Sequence, residues 1–195
     1  MTRASKAFAD VTARRPGSIS TGPARAVRIA FEATLPAMLV IIFLFSAGTT
    51  DPAVADGLTR GTGAYSRGNY ARAVRALIPA AARGNPRAQG QLGFMYENGF
   101  GVPQNYAAAA DLYQSAAAQG DTFAQSRLGL SYDKGHGVPQ NVVLSYKWLD
   151  LAAARATNRE RDYYRRLRDA VASKMTSNQI VEGQRLALIW APVRW

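Results

Sequence analysis

Residues 88–105 read AQGQLGFMYENGFGVPQN, and residues 124–141 read AQSRLGLSYDKGHGVPQN. The two stretches lie 36 residues apart, and eleven of their eighteen positions are identical. The shared residues are Ala88/Ala124, Gln89/Gln125, Leu92/Leu128, Gly93/Gly129, Tyr96/Tyr132, Gly99/Gly135, Gly101/Gly137, Val102/Val138, Pro103/Pro139, Gln104/Gln140 and Asn105/Asn141. Self-similarity at a period of about 20 to 50 residues marks a repeat architecture, in which each unit buries its apolar face only by stacking on a neighbour.

The match extends in both directions. Downstream, Ala116–Ala118 align with Ala152–Ala154. Upstream, Tyr65-Ser66-Arg67-Gly68-Asn69-Tyr70 fits a copy in which the Gly-x-Gly-Val-Pro loop is missing, and Ala73, Ala80–Ala82 and Gly84 then fall into the 36-residue register. The expected organisation is a leader over 1–55, three units over 56–156 (about 60–87 shortened, 88–123 and 124–156), and capping helices over 157–195.

Each repeated residue has a mechanical reading. Ala88, Leu92, Met95 and Tyr96 recur at helical spacing and form one face of a first helix, as do Ala124, Leu128, Ser131 and Tyr132. Gly93 and Gly129 cost about 1 kcal/mol each in mid-helix, so their repetition predicts the close approach of a neighbouring helix backbone. Gly99 and Gly135 suit the left-handed residue that ends a helix, and Pro103 and Pro139 stiffen the loop that follows. A second helix then carries Ala109, Leu112, Tyr113 and Ala116 on one face, with Ser145, Trp148, Leu149 and Ala152 in the equivalent places. In the shortened copy, Pro79 is expected to kink or end the second helix.

These residues resemble the Sel1-like repeat (SLR) family, relatives of tetratricopeptide repeats, whose pattern runs Ala-x-x-x-Leu-Gly-x-x-Tyr-x-x-Gly-x-Gly-Val followed by Ala, Trp and Ala-Ala. The resemblance covers residues 60 to 156 and implies an all-α fold. The expected form is an α/α right-handed solenoid of antiparallel helix pairs acting as a scaffold or adaptor for protein partners. The shortened copy departs from the pattern by lacking Gly-x-Gly-Val. After the repeats, Tyr164, Leu167, Val171 and Met175 make one more helical stripe, and Thr176-Ser177-Asn178-Gln179 fits a capping box. Ile180, Leu186, Ile189 and Trp190 are the expected apolar positions of a last helix that closes the stack.

The leader has a different character. A basic, Pro- and Gly-punctuated stretch precedes the apolar run Leu35–Ala47, and Ala53-Val54-Ala55 then supplies small residues at the −3 and −1 positions of a processing site. The run is shorter than the ~20 residues that span a bilayer. A signal peptide cleaved after Ala55 would place the protein in the periplasm or outside the cell. The alternative is an uncleaved inner-membrane anchor over about 29–47, with Glu32 and Pro36 inside it.

The chain of 195 residues carries a formal charge of +11, of which residues 1–55 hold +3. It has no cysteine and one histidine, so a disulfide framework, a thiolate metal site and a cysteine nucleophile are excluded. His136 sits between two loop glycines in the position of Phe100. Gly-x-Gly occurs at Gly61-Thr62-Gly63 and in the two full units, where it follows a helix and not a strand, which argues against dinucleotide binding there. No catalytic, cofactor-binding or metal-binding residue is assigned, and no cofactor is expected.

The functional reading is a protein or peptide scaffold associated with the cell envelope, not an enzyme, with no nucleic-acid partner and membrane contact only through an uncleaved N-terminal segment. The competing readings are a cell-wall or β-lactam hydrolase and a membrane-tethered regulator. Arg161, Arg165 and Arg168, with Arg155, Arg159 and Arg166 nearby, make a basic stripe able to meet an acidic partner, anionic lipid or nucleic acid. Tyr96, Tyr132, Tyr113 and Trp148 read as core. Gln91, Arg127, Glu97, Asn98, Asp133 and Lys134 differ between copies and are the positions open to a partner.

Overall fold

The computed structural model describes residues 52–192. The leader reading for residues 1–51, including the apolar run and the anchor over about 29–47, lies outside the described residues. Eight helices follow one another among the described residues: α1 (Pro52–Ser66), α2 (Tyr70–Ala82), α3 (Pro86–Asn98), α4 (Tyr106–Ala118), α5 (Thr122–Lys134), α6 (Val142–Arg155), α7 (Asn158–Ala172) and α8 (Ser177–Leu188). None of them is long and apolar enough to cross a membrane. The processing site expected after Ala55 falls in the first turn of α1.

Polar caps set where the helices start. Asn69, Asn85, Asn105, Asp121 and Asn141 each accept, through the side chain, the backbone N–H of the residue three positions on, at 2.8–3.2 Å. Each such cap is worth about 1 kcal/mol. Gly99 and Gly135 end α3 and α5 with φ of 71° and 72°, and the repeated glutamines close the same helix ends. Gln104 Nε2 donates to the Glu97 carbonyl at 2.8 Å, and Gln140 Nε2 donates to that of Asp133 at 2.7 Å.

Successive helices pack as antiparallel pairs, α1 with α2, α3 with α4 and α5 with α6. Ala88, Leu92 and Met95 of α3 are buried, as are Ala109, Tyr113 and Ala116 of α4. The repeated mid-helix glycines meet side chains as well as backbone. A Cβ on Gly93 would stand 2.9 Å from Tyr113 Cε1 and 3.2 Å from the Ala109 carbonyl oxygen; on Gly129 it would stand 2.8 Å from Leu149 Cγ and 3.1 Å from that of Ser145.

Two further devices join one unit to the next. Buried Gln89 and Gln125 donate from Nε2 to the carbonyls of Ala81 and Ala117, at the ends of α2 and α4. The loop glycines Gly101 and Gly137 rest on the backbone of Tyr70–Ala71 and Tyr106–Ala107, the first turns of those same helices. Phe100 stacks on Tyr70 at 4.7 Å and His136 lies 4.4 Å from the Tyr106 ring, so the one histidine occupies an inter-unit packing position.

Two details depart from the sequence reading. Of the two outcomes expected at Pro79, a kink or an end, the helix end does not occur there, since α2 continues to Ala82. Proline there removes one backbone bond in the closing turn, while burial of Leu77, Ala80 and Ala81 holds the helix onto its neighbours. Ile189 is 66% exposed and lies beyond the end of α8. The helix turns its small residues Gly183 and Ala187 inward, because Gly183 sits under the Tyr146 ring with room for no Cβ (2.8 Å to Cδ1). Val181 and Leu188 consequently face outward. The capping box of Thr176 and Gln179 is formed, and α7 and α8 both pack on α6.

Candidate functional site

On α3, Ala88, Leu92 and Met95 form the core stripe, and the residues one position earlier, Arg87, Gln91 and Phe94, repeat the same spacing about 100° round the helix. That second stripe opens onto a groove of about 470 Å³ shared by α1, α3 and α5, the first helices of successive units. Thr62 and Tyr65 of α1 form one wall, and Asp121 and Phe123 at the start of α5 form the other. Aromatic edges bridge the three helices, with ring centroids 6.4 Å apart between Tyr65 and Phe94 and 6.0 Å between Phe94 and Phe123. Phe123 is 39% exposed. At 36 residues' distance Arg87 becomes Phe123, Gln91 becomes Arg127 and Phe94 becomes Leu130, so the α3 stripe of the groove uses positions where the units differ.

A charged network lies beside the groove, in contact with Phe94. Tyr113, fully buried, donates its hydroxyl to Glu97 Oε2 at 2.6 Å. Arg127 donates to the same oxygen from Nε at 3.1 Å and lies within 2.7 Å of it through Nη2. The guanidinium also sits 5.0 Å over the Phe94 ring, which ties the aromatic bridge to the ion pair. Burial, then the bond to a carboxylate, pushes the Tyr113 phenol far above its ordinary range. For Arg127 burial works against the charge, and the Glu97 bond outweighs it, so its pKa is raised. The network fixes α3, α4 and α5 to one another.

Asp121 has two tasks. It caps α5, accepting from Ala124 N at 2.8 Å, and it forms part of the groove wall. Burial raises its pKa against the opposing pull of that N–H and of the Arg87 charge.

The positions singled out from sequence separate clearly. Of the six that differ between copies, Gln91 alone lines the groove. Glu97 and Arg127 are partners in the network just described. Asn98 returns its Nδ2 to the Phe94 carbonyl at 2.8 Å, Asp133 is ion-paired with Lys174 at 2.9 Å, and Lys134 is exposed at the end of α5. Tyr113 and Trp148 are buried, and Tyr96 and Tyr132 half-buried. The arginine stripe is partly consumed within the fold: Arg168 bonds Asp150 at 2.8 Å and Asp169 at 2.9 Å, Arg161 donates to the Ala156 carbonyl, and Arg155 stands 4.9 Å over the Trp190 ring. Arg159, Arg165 and Arg166 are exposed. Sequence reasoning did not single out Tyr65, Arg87, Phe94, Asp121 or Phe123 as a surface. The available signal was the stripe one residue ahead of the core stripe.

Gly61-Thr62-Gly63 lies inside α1, with Gly61 against Leu77, and is no phosphate loop. Among the described residues no group of His, Cys, Asp and Glu side chains is placed to hold a metal ion. The groove offers aromatic surface, the Gln91 amide, one guanidinium and one carboxylate, a set suited to recognition of a polypeptide segment.

Residues 86–121 and 122–156 match the family model of the Sel1 repeat. Among solved structures, the chain is similar to a protective antigen of uropathogenic Escherichia coli that displays an SLR fold, with 27% identity and a TM-score of 0.65, over 79% of this chain and 32% of that one. It is also similar to a Sel1 repeat protein from Oxalobacter formigenes, with 29% identity and a TM-score of 0.54, over 69% of this chain and 56% of that one. The chain thus spans about a third of the first relative and just over half of the second. No curated protein matches it.

Proposed function

We propose that this chain, which carries two Sel1 repeats and so belongs with the Sel1-repeat proteins, is an envelope-associated scaffold that holds an extended polypeptide segment of its partner in the groove of α1, α3 and α5. The observation that carries the reading is the groove itself: one recess crossing three units, lined along α3 at positions where the units differ. A peptide laid across it would place an apolar side chain on Phe94 and Phe123, a backbone amide on Gln91 and a carboxylate near Arg87. Location in the envelope is supported by the apolar run Leu35–Ala47 and the small residues before Asp56.

The experiment is site-specific photocrosslinking of the full-length chain in the native envelope, with the probe at Gln91 and a control probe at Asp111, exposed on α4. A partner that crosslinks from position 91, not from 111, and is lost in a Phe94→Ala, Phe123→Ala chain supports the groove. Equal crosslinking from both positions refutes it. Turnover of peptidoglycan or of a chromogenic lactam by the purified chain would replace the scaffold reading with that of a hydrolase.

A further inference from the structure

Charge is distributed unevenly along the stack. Between residues 52 and 87 the sequence has six arginines and a single acidic residue, Asp56, whereas from 88 to 126 it has no basic residue at all. Four of the six arginines, Arg60, Arg72, Arg75 and Arg83, rim a hollow of about 480 Å³ between α1 and α2, with Gly57, Ala76 and Pro79 as its other lining residues. The hollow shares no lining residue with the groove described above.

Its depth follows from close helix packing. A Cβ on Gly57 would stand 3.2 Å from the Ala76 carbonyl oxygen, so the helices meet over small residues while the long basic side chains rise around them. Arg72 and Arg75 are exposed. Arg60 shares an exposed i,i+4 pair with Asp56 at 3.0 Å, an interaction weak enough to yield to a multivalent anion. Arg83 has an interaction of its own, and nothing below depends on it. Ile78, 45% exposed, is three residues on from Arg75 and therefore its neighbour on the helix surface.

We infer that this arginine-rimmed hollow seats the first helix pair on the anionic phospholipid surface of a membrane. The guanidinium forks hold headgroup phosphates, and Ile78 enters the boundary of the acyl region. Chain order selects this occupant. The apolar run Leu35–Ala47 stands shortly before α1 in the sequence, so the first folded helices that follow it are the ones that carry the arginines. Guanidiniums gathered on one helix pair, with an exposed apolar side chain beside them, complement a surface of anionic headgroups. The docking is independent of what the groove holds.

The test is flotation of the full-length chain with vesicles of phosphatidylcholine alone and with vesicles in which phosphatidylglycerol makes up about a third of the lipid. The leader contributes equally in wild type and variants, so differences report the hollow. Arg72→Gln with Arg75→Gln is expected to lower partition onto the anionic vesicles roughly 30-fold, about fivefold per arginine, at about 0.1 M salt, where the Debye length is about 10 Å. The difference should disappear at high salt, and the neutral vesicles should show none. Arg165→Gln with Arg166→Gln removes the same charge from α7 and should leave partition within about twofold of wild type, since exposed charges beyond a Debye length are screened. Unchanged partition of the Arg72/Arg75 variant, an equal loss in both double variants, or a loss on neutral vesicles overturns the inference. So does capture by polyglutamate as tight as by the vesicles and dependent on the same arginines, which would make the hollow a site for acidic polypeptide. Melting followed by circular dichroism establishes that the variants fold; if the double variant does not, the single Arg75→Gln exchange, with its expected fivefold loss, decides.

Discussion

Gly135 and Gly137 make a controlled pair for testing how one unit is locked to the next. Both have positive φ, 72° and 74°, so alanine at either pays the same backbone strain, about 1 to 2 kcal/mol. Their surroundings differ. A Cβ on Gly135 would meet nothing nearer than Gln140 at 3.5 Å, an ordinary contact. A Cβ on Gly137 would collide with the Tyr106 carbonyl group and stand 2.8 Å from Ala107 N. Those atoms are backbone at the capped start of α4, so no rotamer change relieves the overlap. Overpacking of this kind adds about 1 to 3 kcal/mol, and the stiffer unfolded chain returns less than about 1 kcal/mol in both variants. Gly137→Ala should therefore be less stable than Gly135→Ala by about 1 to 3 kcal/mol in urea denaturation followed by far-ultraviolet circular dichroism. Gly101 and Gly99 repeat the comparison one unit earlier: the nearest atom is 2.5 Å away at Gly101 (Tyr70 C) and 3.5 Å away at Gly99 (Gln104 Cβ). Equal stabilities within each pair, to about 0.5 kcal/mol, would show that the loops do not bear on the preceding helix and that the inter-unit lock lies elsewhere.

Further outcomes follow from single contacts. Tyr113→Phe removes the 2.6 Å bond to Glu97 while Arg127 remains, and should cost about 1 to 2 kcal/mol in the same denaturation assay. Pro79→Ala restores a backbone donor at an exposed site in the last turn of α2 and is expected to raise the melting temperature, an uncommon direction for a single substitution. Trp190→Ala deletes the edge contact to Trp148 at 6.1 Å and the ring beneath Arg155, and should lower stability by about 2 kcal/mol with early loss of α8 protection in hydrogen exchange. Thr176→Ala opens the capping box and should cost about 1 kcal/mol; protection of the first turn of α8 is the readout that checks it.

The repeat was legible because its residues act locally. Left-handed glycines and alanines at helical spacing carry the same requirement wherever the chain repeats, so Gly99 and Gly135 marked helix ends before any packing was known. The two-helix unit, the all-helical solenoid and the capping box at Thr176 followed from the same reasoning. Residues with long-range duties were not legible. Gln89 and Gln125 recur because each bonds the end of the preceding helix, and Gly101 and Gly137 recur because a neighbouring backbone fills the space of a side chain. Sequence alone shows such a residue as repeated without showing what it touches.

The groove belongs wholly to the tertiary level. Glu97 and Arg127 look like available charges until α3 and α5 are set side by side, which closes them into a pair over the buried Tyr113 hydroxyl. Tyr65, Phe94 and Phe123 are distant in the chain and become one aromatic bridge only when three units stack. The arginines of the first helix pair are ordinary exposed side chains until Gly57 and Ala76 bring α1 and α2 close enough to leave a hollow among them. Backbone preference and helical period settle the repeat within each unit, whereas a surface made across units depends on relative placement, which only the packed stack decides.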